Sequence, residues 1–186
     1  MERSEVIRKV VHMCAPLFAL IYLIPEDLGF TSRSVIVVIA WLLFAAFEVY
    51  RIRKKIPILG LREYEYGRPS AAFWMISAFL PMILFFPVEY ALPLLVGFGF
   101  VDPLIGILRK HGSKWYPVLP LITYYAIFVT IFAIMTEATW NVMLLSVIVT
   151  ISAIIAEGIK NKIVDDDFLM LFVPLVVLWI AGSLLI

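Results

Sequence analysis

Apolar residues along this chain do not alternate with polar ones; they run together. Seven continuous apolar segments stand out: Val10–Ile24, Ser34–Tyr50, Ala71–Phe86, Glu89–Leu108, Tyr116–Met135, Trp140–Ala156 and Phe168–Ile186. A helix that crosses a bilayer needs about 20 apolar residues, with a range of about 17–25. Several segments are short by that standard, which suits spans that tilt little or are partly re-entrant. Strands of a membrane β-barrel would alternate polar and apolar residues, and these segments do not. The pattern therefore predicts an all-α, polytopic helical bundle of about seven transmembrane helices, forming one integral membrane domain over residues 1–186. Pro25 and Pro87 fall at turns between spans. No internal repeat, low-complexity tract, cleavable signal or separate soluble domain is expected.

Composition narrows the function classes. Of 186 residues, 63% are hydrophobic and 16% charged, against about 45–50% and about 25% in soluble domains. A soluble enzyme, a disordered tail and a nucleic-acid module are excluded. A net charge of +1 gives no general attraction to polyanions. The single cysteine, Cys14, excludes an internal disulfide and a cysteine-based zinc site.

Charge sets the orientation. If each of seven spans reverses the side, 14 of the 15 Lys and Arg residues share the side of the N-terminus, and only Arg33 lies opposite. Basic loops remain in the cytoplasm, so the N-terminus is expected inside and the C-terminus outside. That fits a multi-pass protein of the cell membrane in a prokaryote, or of the endoplasmic reticulum in a eukaryote. Acidic residues follow the same side, which no topology rule requires. Mixed carboxylates and cations on one face suggest a site for a metal-bound phosphate compound; a solvated face of weak surface pairs is the plain alternative.

Five polar clusters carry this reading. Glu5, Arg8, Lys9 and His12 are spaced 0, 3, 4 and 7, one face of a helix, with His12 where the apolar run begins. Glu48 and Arg51, at i and i+3, read as an intrahelical pair capping the second span. Arg62-Glu63-x-Glu65-x-Gly67-Arg68-Pro69 is a shaped loop whose two carboxylates and two guanidinium groups suit a triphosphate and its metal. Gly97, Gly99 and Pro103 surround Asp102 inside an apolar run. An aspartate there costs roughly 2.5–3.5 kcal/mol on insertion scales. The glycines and proline predict a break in the helix, with open backbone lining a polar cavity. Arg109, Lys110, Gly112 and Lys114 follow, without the spacing of a Walker loop. Finally, Glu157 precedes the triplet Asp165-Asp166-Asp167, whose hard oxygens suit Mg²⁺ bridged to phosphates.

The order of these clusters resembles the CTP-dependent polyprenol kinase family, which includes dolichol kinase and phytol kinase. Glu5-x-x-Arg8-Lys9-x-x-His12 resembles its opening motif, and Arg62-Glu63-x-Glu65-x-Gly67-Arg68 its R-E-x-E-x-G-R loop. Asp102 with the following glycine- and lysine-containing segment resembles its G-D segment. Glu157 with Asp165-Asp166-Asp167 resembles its E…D-D-N signature. Val101 stands where the family often has glycine, and Asp167 where it usually has asparagine. The resemblance implies a membrane enzyme that moves the γ-phosphate of CTP, with Mg²⁺, onto the hydroxyl of a lipid alcohol from the bilayer: dolichol, a polyprenol, geranylgeraniol or similar. It implies Mg²⁺ ligands among Asp102, Glu157, Asp165, Asp166 and Asp167. Phosphate and nucleotide contacts would come from Arg8, Lys9, Arg62, Glu63, Glu65, Arg68 and Lys114, and the base would be His12, Glu5 or Asp102. Two other readings compete: a CTP:lipid-phosphate cytidylyltransferase making a CDP-lipid, and a small membrane transporter.

Overall fold

The computed structural model describes residues 3–58, 60–161 and 163–185, with the side chains of residues 3 and 4 left out. Lys162 and Ile186, counted above in a basic loop and at the end of the last span, lie outside the described residues, as does the side chain of Arg3. The described chain folds into seven α-helices: α1 (Arg3–Met13), α2 (Arg33–Lys54), α3 (Ala71–Phe85), α4 (Val88–Lys110), α5 (Val118–Met135), α6 (Trp140–Gly158) and α7 (Asp166–Leu185). Two 3₁₀ helices, Ala15–Leu23 and Glu63–Gly67, complete the elements, and no strand occurs among the described residues. Six segments are long and apolar enough to cross a membrane: Glu5–Leu23, α2, α4, α5, α6 and α7. The shorter α3 is equally apolar. The architecture is that of a multi-pass membrane helical bundle.

Local chemistry sets the boundaries. Ser32, Ser70 and Thr139 each accept a first-turn backbone N–H with the side-chain hydroxyl, which satisfies one of the donors a helix start leaves open. The first span changes character at Pro16, which has no N–H to give and whose ring would press on the His12 carbonyl in an α-helix. The chain tightens there into the 3₁₀ helix and carries on across the bundle.

Helix α4 sits at the centre, packed by α1, the Ala15–Leu23 segment, α5 and α7. It buries Leu94, Phe98, Val101 and Ile105 completely. Helix α6 packs on α5 and α7, α3 on α7, and α2 lies outermost against α3. Ile39, Leu42, Leu43 and Phe47 of α2 stay exposed, as expected for a face turned to lipid rather than to a core.

One sequence expectation is corrected here. Helix α4 does not break at Gly97, Gly99 and Pro103; it runs unbroken from Val88 to Lys110. The glycines permit close approach instead. A Cβ at Gly97 would lie 2.9 Å from the Tyr124 ring, and one at Gly99 would lie 2.9 Å from the His12 carbonyl oxygen. Gly99 thus lets α1 press its Pro16-freed turn onto α4. No open backbone is exposed near Asp102, so any polar cavity must be lined by side chains.

Candidate functional site

The close packing of α1 on α4 brings His12 to Asp102, and α7 delivers Asp167 from the third side. His12 Nε2 lies 2.9 Å from Asp167 Oδ2 and 3.6 Å from Asp102 Oδ2. His12 and Asp167 are 3% and 2% exposed, so neither charge is moderated by bulk water. The other ring nitrogen, Nδ1, lies 2.7 Å from the Arg8 carbonyl. A carbonyl only accepts, so Nδ1 carries a proton and donates it there. That leaves Nε2 facing two carboxylates, an arrangement that requires either a proton or a cation between them. A histidine oriented by its second nitrogen in this way is how metal ligands and catalytic bases are commonly held.

Asp167 also belongs to a second group. One carboxylate oxygen from each of Asp165, Asp166 and Asp167 lies within 4.8 Å of the others, and His12, Asp102 and Asp167 satisfy the same limit. The turn that begins α7 arranges this, with the Asp167 N–H donating to Asp165 Oδ1 at 3.2 Å. Burial, the hydrogen bond with Asp166 and the charges of Asp167 and Asp166 push the Asp165 carboxyl up to about 8. Arg62 reaches Asp165 at 3.7 Å. Clustered hard oxygens are the donor set that Mg²⁺ takes, usually through one or two carboxylates with waters or phosphate oxygens in the remaining positions. Asp165, Asp166 and Asp167 form one such group, and Asp102 and Asp167 with His12 the other.

Two cavities adjoin the cluster, one at His12 and the other at Asp165 and Asp166. One, of about 850 Å³, is bordered by Asp165 and Asp166 and by four cations, Arg62, Arg68, Arg109 and Lys160. Tyr64 and Trp74 also line it. The other, of about 250 Å³, is bordered by His12, Arg8 and Glu65, and otherwise mainly by apolar residues of α1, α2 and α3. His12 thus borders a mostly apolar chamber, and Asp165 and Asp166 a cationic one.

The 62–70 loop between them is held from below. Arg51 is fully buried. Its Nε and Nη2 donate to the two oxygens of Glu48 at 2.8 and 2.7 Å. Nη1 donates to the Glu65 carbonyl at 3.0 Å, and Nη2 also to the Arg68 carbonyl at 2.7 Å. Glu48 in turn accepts the Ser70 N–H. Sequence reasoning reads Glu48–Arg51 as a helix-end pair; folded, it is a buried bracket that shapes the loop.

Other expected site residues are placed differently. Glu157, expected with the metal ligands, instead receives both terminal nitrogens of Arg109 at 2.6 Å and belongs to neither carboxylate group. Glu5, two turns before His12, pairs with Lys9 at 3.1 Å and Lys110 at 2.6 Å, which engages Lys9 as well. Glu65 turns inward, accepting the Arg62 N–H at 3.0 Å. It borders the apolar chamber, whereas Arg62 and Arg68 border the cationic one. Glu63 and Lys114 are exposed and border neither chamber. Arg109, Lys160, Tyr64 and Trp74, absent from the sequence-based set of site residues, do border the cationic chamber. Two of them carried a signal: Arg109 opens the basic segment after Asp102, and Lys160 lies close to the acidic triplet in sequence.

Comparison of the chain with models of known families, with curated proteins and with solved structures finds no match.

Proposed function

We propose that this protein is a lipid kinase that transfers the γ-phosphate of CTP to the hydroxyl of a membrane lipid alcohol. The observation that carries the reading is that the carboxylate–histidine cluster borders two unlike chambers. A triphosphate suits the side with four cations, because guanidinium groups bond phosphate oxygens in pairs. Tyr64 and Trp74 offer flat faces to a nucleobase. An amphiphilic alcohol suits the side lined mainly by apolar residues, with His12 and Glu65 at its polar end. Glu65 Oε1 is buried with no hydrogen-bond partner among the described residues, and an acceptor hydroxyl would satisfy it. The choice of CTP, and of dolichol, a polyprenol or geranylgeraniol as acceptor, rests on the resemblance of the four motifs.

In this reading the hydroxyl oxygen attacks the γ-phosphorus, and the bond from that phosphorus to the bridging oxygen of the β-phosphate breaks. CDP departs, and the hydroxyl proton passes to His12 or a facing carboxylate. Mg²⁺, held by Asp102, Asp165, Asp166 and Asp167, would neutralise charge on the phosphate oxygens. Arg62 and Arg68 would clamp the phosphates, and Arg109, fixed by Glu157, would present its remaining surface to them. With α3 taken as a seventh span, the 14-to-1 split of basic residues supports placing this end of the bundle in the cytoplasm.

Purified protein with Mg²⁺, CTP labelled at either the α- or the γ-phosphate, and a panel of lipid alcohols and lipid phosphates tests this. Label from the γ-position on an alcohol is the expected result. Label from the α-position on a lipid phosphate, with pyrophosphate released, would make the protein a cytidylyltransferase. No transfer with any pair would return attention to transport.

A further inference from the structure

The small chamber beside His12 has a neighbour along α2. Phe44 of α2 borders both it and a third cavity of about 370 Å³, enclosed by the Ala15–Leu23 segment, α2 and α3. The lining of this third cavity is apolar except for Arg33 at its far end: Val37, Ala40 and Trp41 from α2 face Phe79 and Ile83 from α3. The two cavities together follow α2 from Glu48 to Arg33. The fifteen residue steps between them make a path of about 22 Å at the α-helical rise.

The walls are fixed rather than loosely apposed. Trp41 Nε1 donates to Ser77 Oγ at 3.0 Å across α2 and α3. The Tyr22 hydroxyl donates to the Met82 carbonyl at 2.8 Å, tying the 3₁₀ segment to α3. The far end is closed by charge. Arg33 donates to the Ile24 carbonyl at 3.1 Å and pairs with Glu26 at 2.8 Å, a group that hydrocarbon does not displace.

We propose that this groove seats the hydrocarbon tail of the acceptor and measures it. The proposal rests on the lipid-kinase reading for the head, which lies at His12, and on the groove alone for the tail. An extended chain advances about 1.25 Å per carbon–carbon single bond of about 1.5 Å, so about 16 to 18 carbons reach from the Glu48 level to Arg33. Shorter chains leave the far half empty. Longer ones meet Arg33 and must leave sideways into the bilayer. The ligand class is a primary alcohol with a main chain of about that length, linear or isoprenoid, rather than one whose whole tail must be enclosed.

The test uses full-length protein in lipid nanodiscs without nucleotide. Primary alcohols of 8, 16 and 24 carbons, each with a photoreactive diazirine at the chain end, are crosslinked and the labelled residues mapped by mass spectrometry. The 8-carbon probe is expected to mark the Trp41–Phe44 level, the 16-carbon probe the Arg33–Val37 level, and the 24-carbon probe chiefly lipid. Ala40→Trp fills the groove about 12 Å from Glu48 by helical rise. It should cut labelling of the far end by the 16-carbon probe at least about tenfold, a difference of 1.4 kcal/mol. Labelling by the 8-carbon probe, unchanged, reports that the variant is folded. Length-independent labelling of the outer faces of α5 and α6, or far-end labelling that survives Ala40→Trp, would overturn the groove. Length-ordered labelling in a protein that transfers no phosphate would keep the groove and overturn the kinase. Phosphate transfer without length-ordered labelling would do the reverse.

Discussion

Arg51 and His12 are both buried basic side chains near one end of the bundle, and two partners of Arg51, Glu48 and Glu65, border the same chamber as His12. Their surroundings differ in kind. Arg51 meets the two oxygens of Glu48 and two loop carbonyls, all within 3.0 Å. His12 faces two carboxylates with one nitrogen, and two more carboxylates adjoin them. The first group is closed: cation and anion match, and four of the five guanidinium N–H donors are used. The second crowds four carboxylates around one imidazole. Buried charge that is fully matched holds shape, whereas buried charge left in excess awaits a cation, a proton or a substrate.

The largest effect should come from opening the closed group. Arg51→Met leaves Glu48 buried and alone, and is expected to cost about 3–5 kcal/mol, read as a lower midpoint of thermal unfolding in detergent. Glu48→Leu combined with Arg51→Met should recover part of that loss, because no lone charge remains. A single variant as stable as the parent would show that the bracket is not closed.

Asp167→Asn acts on the other group and should separate activity from stability. On the lipid-kinase proposal, turnover is expected to fall at least about 100-fold, with the unfolding midpoint unchanged or raised, because one of four crowded carboxylates has been removed. Asp102→Asn should behave alike; near-normal activity would remove Asp102 from the core of the site.

A smaller effect is the stabilisation by Mg²⁺. At about 100 times its Kd, an ion that binds only the folded protein adds about 2.7 kcal/mol. The rise in unfolding midpoint should shrink in Asp165→Asn and persist in Glu157→Gln, because Glu157 is engaged by Arg109. Equal loss in both would place Glu157 among the ligands after all. The smallest effect belongs to Lys110→Gln, which breaks a half-exposed pair with Glu5 and should leave both stability and turnover close to the parent, since such pairs contribute little.

The helices and their ends are legible in the sequence because the bilayer requires long apolar runs and every backbone group satisfied within them. The seven segments match the observed helices to within a few residues except at the first, which extends back through the polar stripe to Arg3. The acidic triplet and His12 are legible as expensive residues near apolar segments. Asp102 was found for the same reason, while its setting was misread. Glycine and proline beside it suggest a broken helix, but the same residues permit contact at 2.9 Å between helices, and one sequence cannot separate the two uses.

Apolar length and the price of burying charge are properties of single segments, so the sequence alone settles the all-helical bundle and singles out the residues that need an explanation. Which charges neutralise one another is a property of distances between segments. His12 meets Asp167 across 155 positions of chain and Arg109 meets Glu157 across 48. Only the packed bundle decides that Glu157 is taken by Arg109, that Asp102 and Asp167 share one imidazole, and that this cluster borders both a cationic chamber and an apolar one.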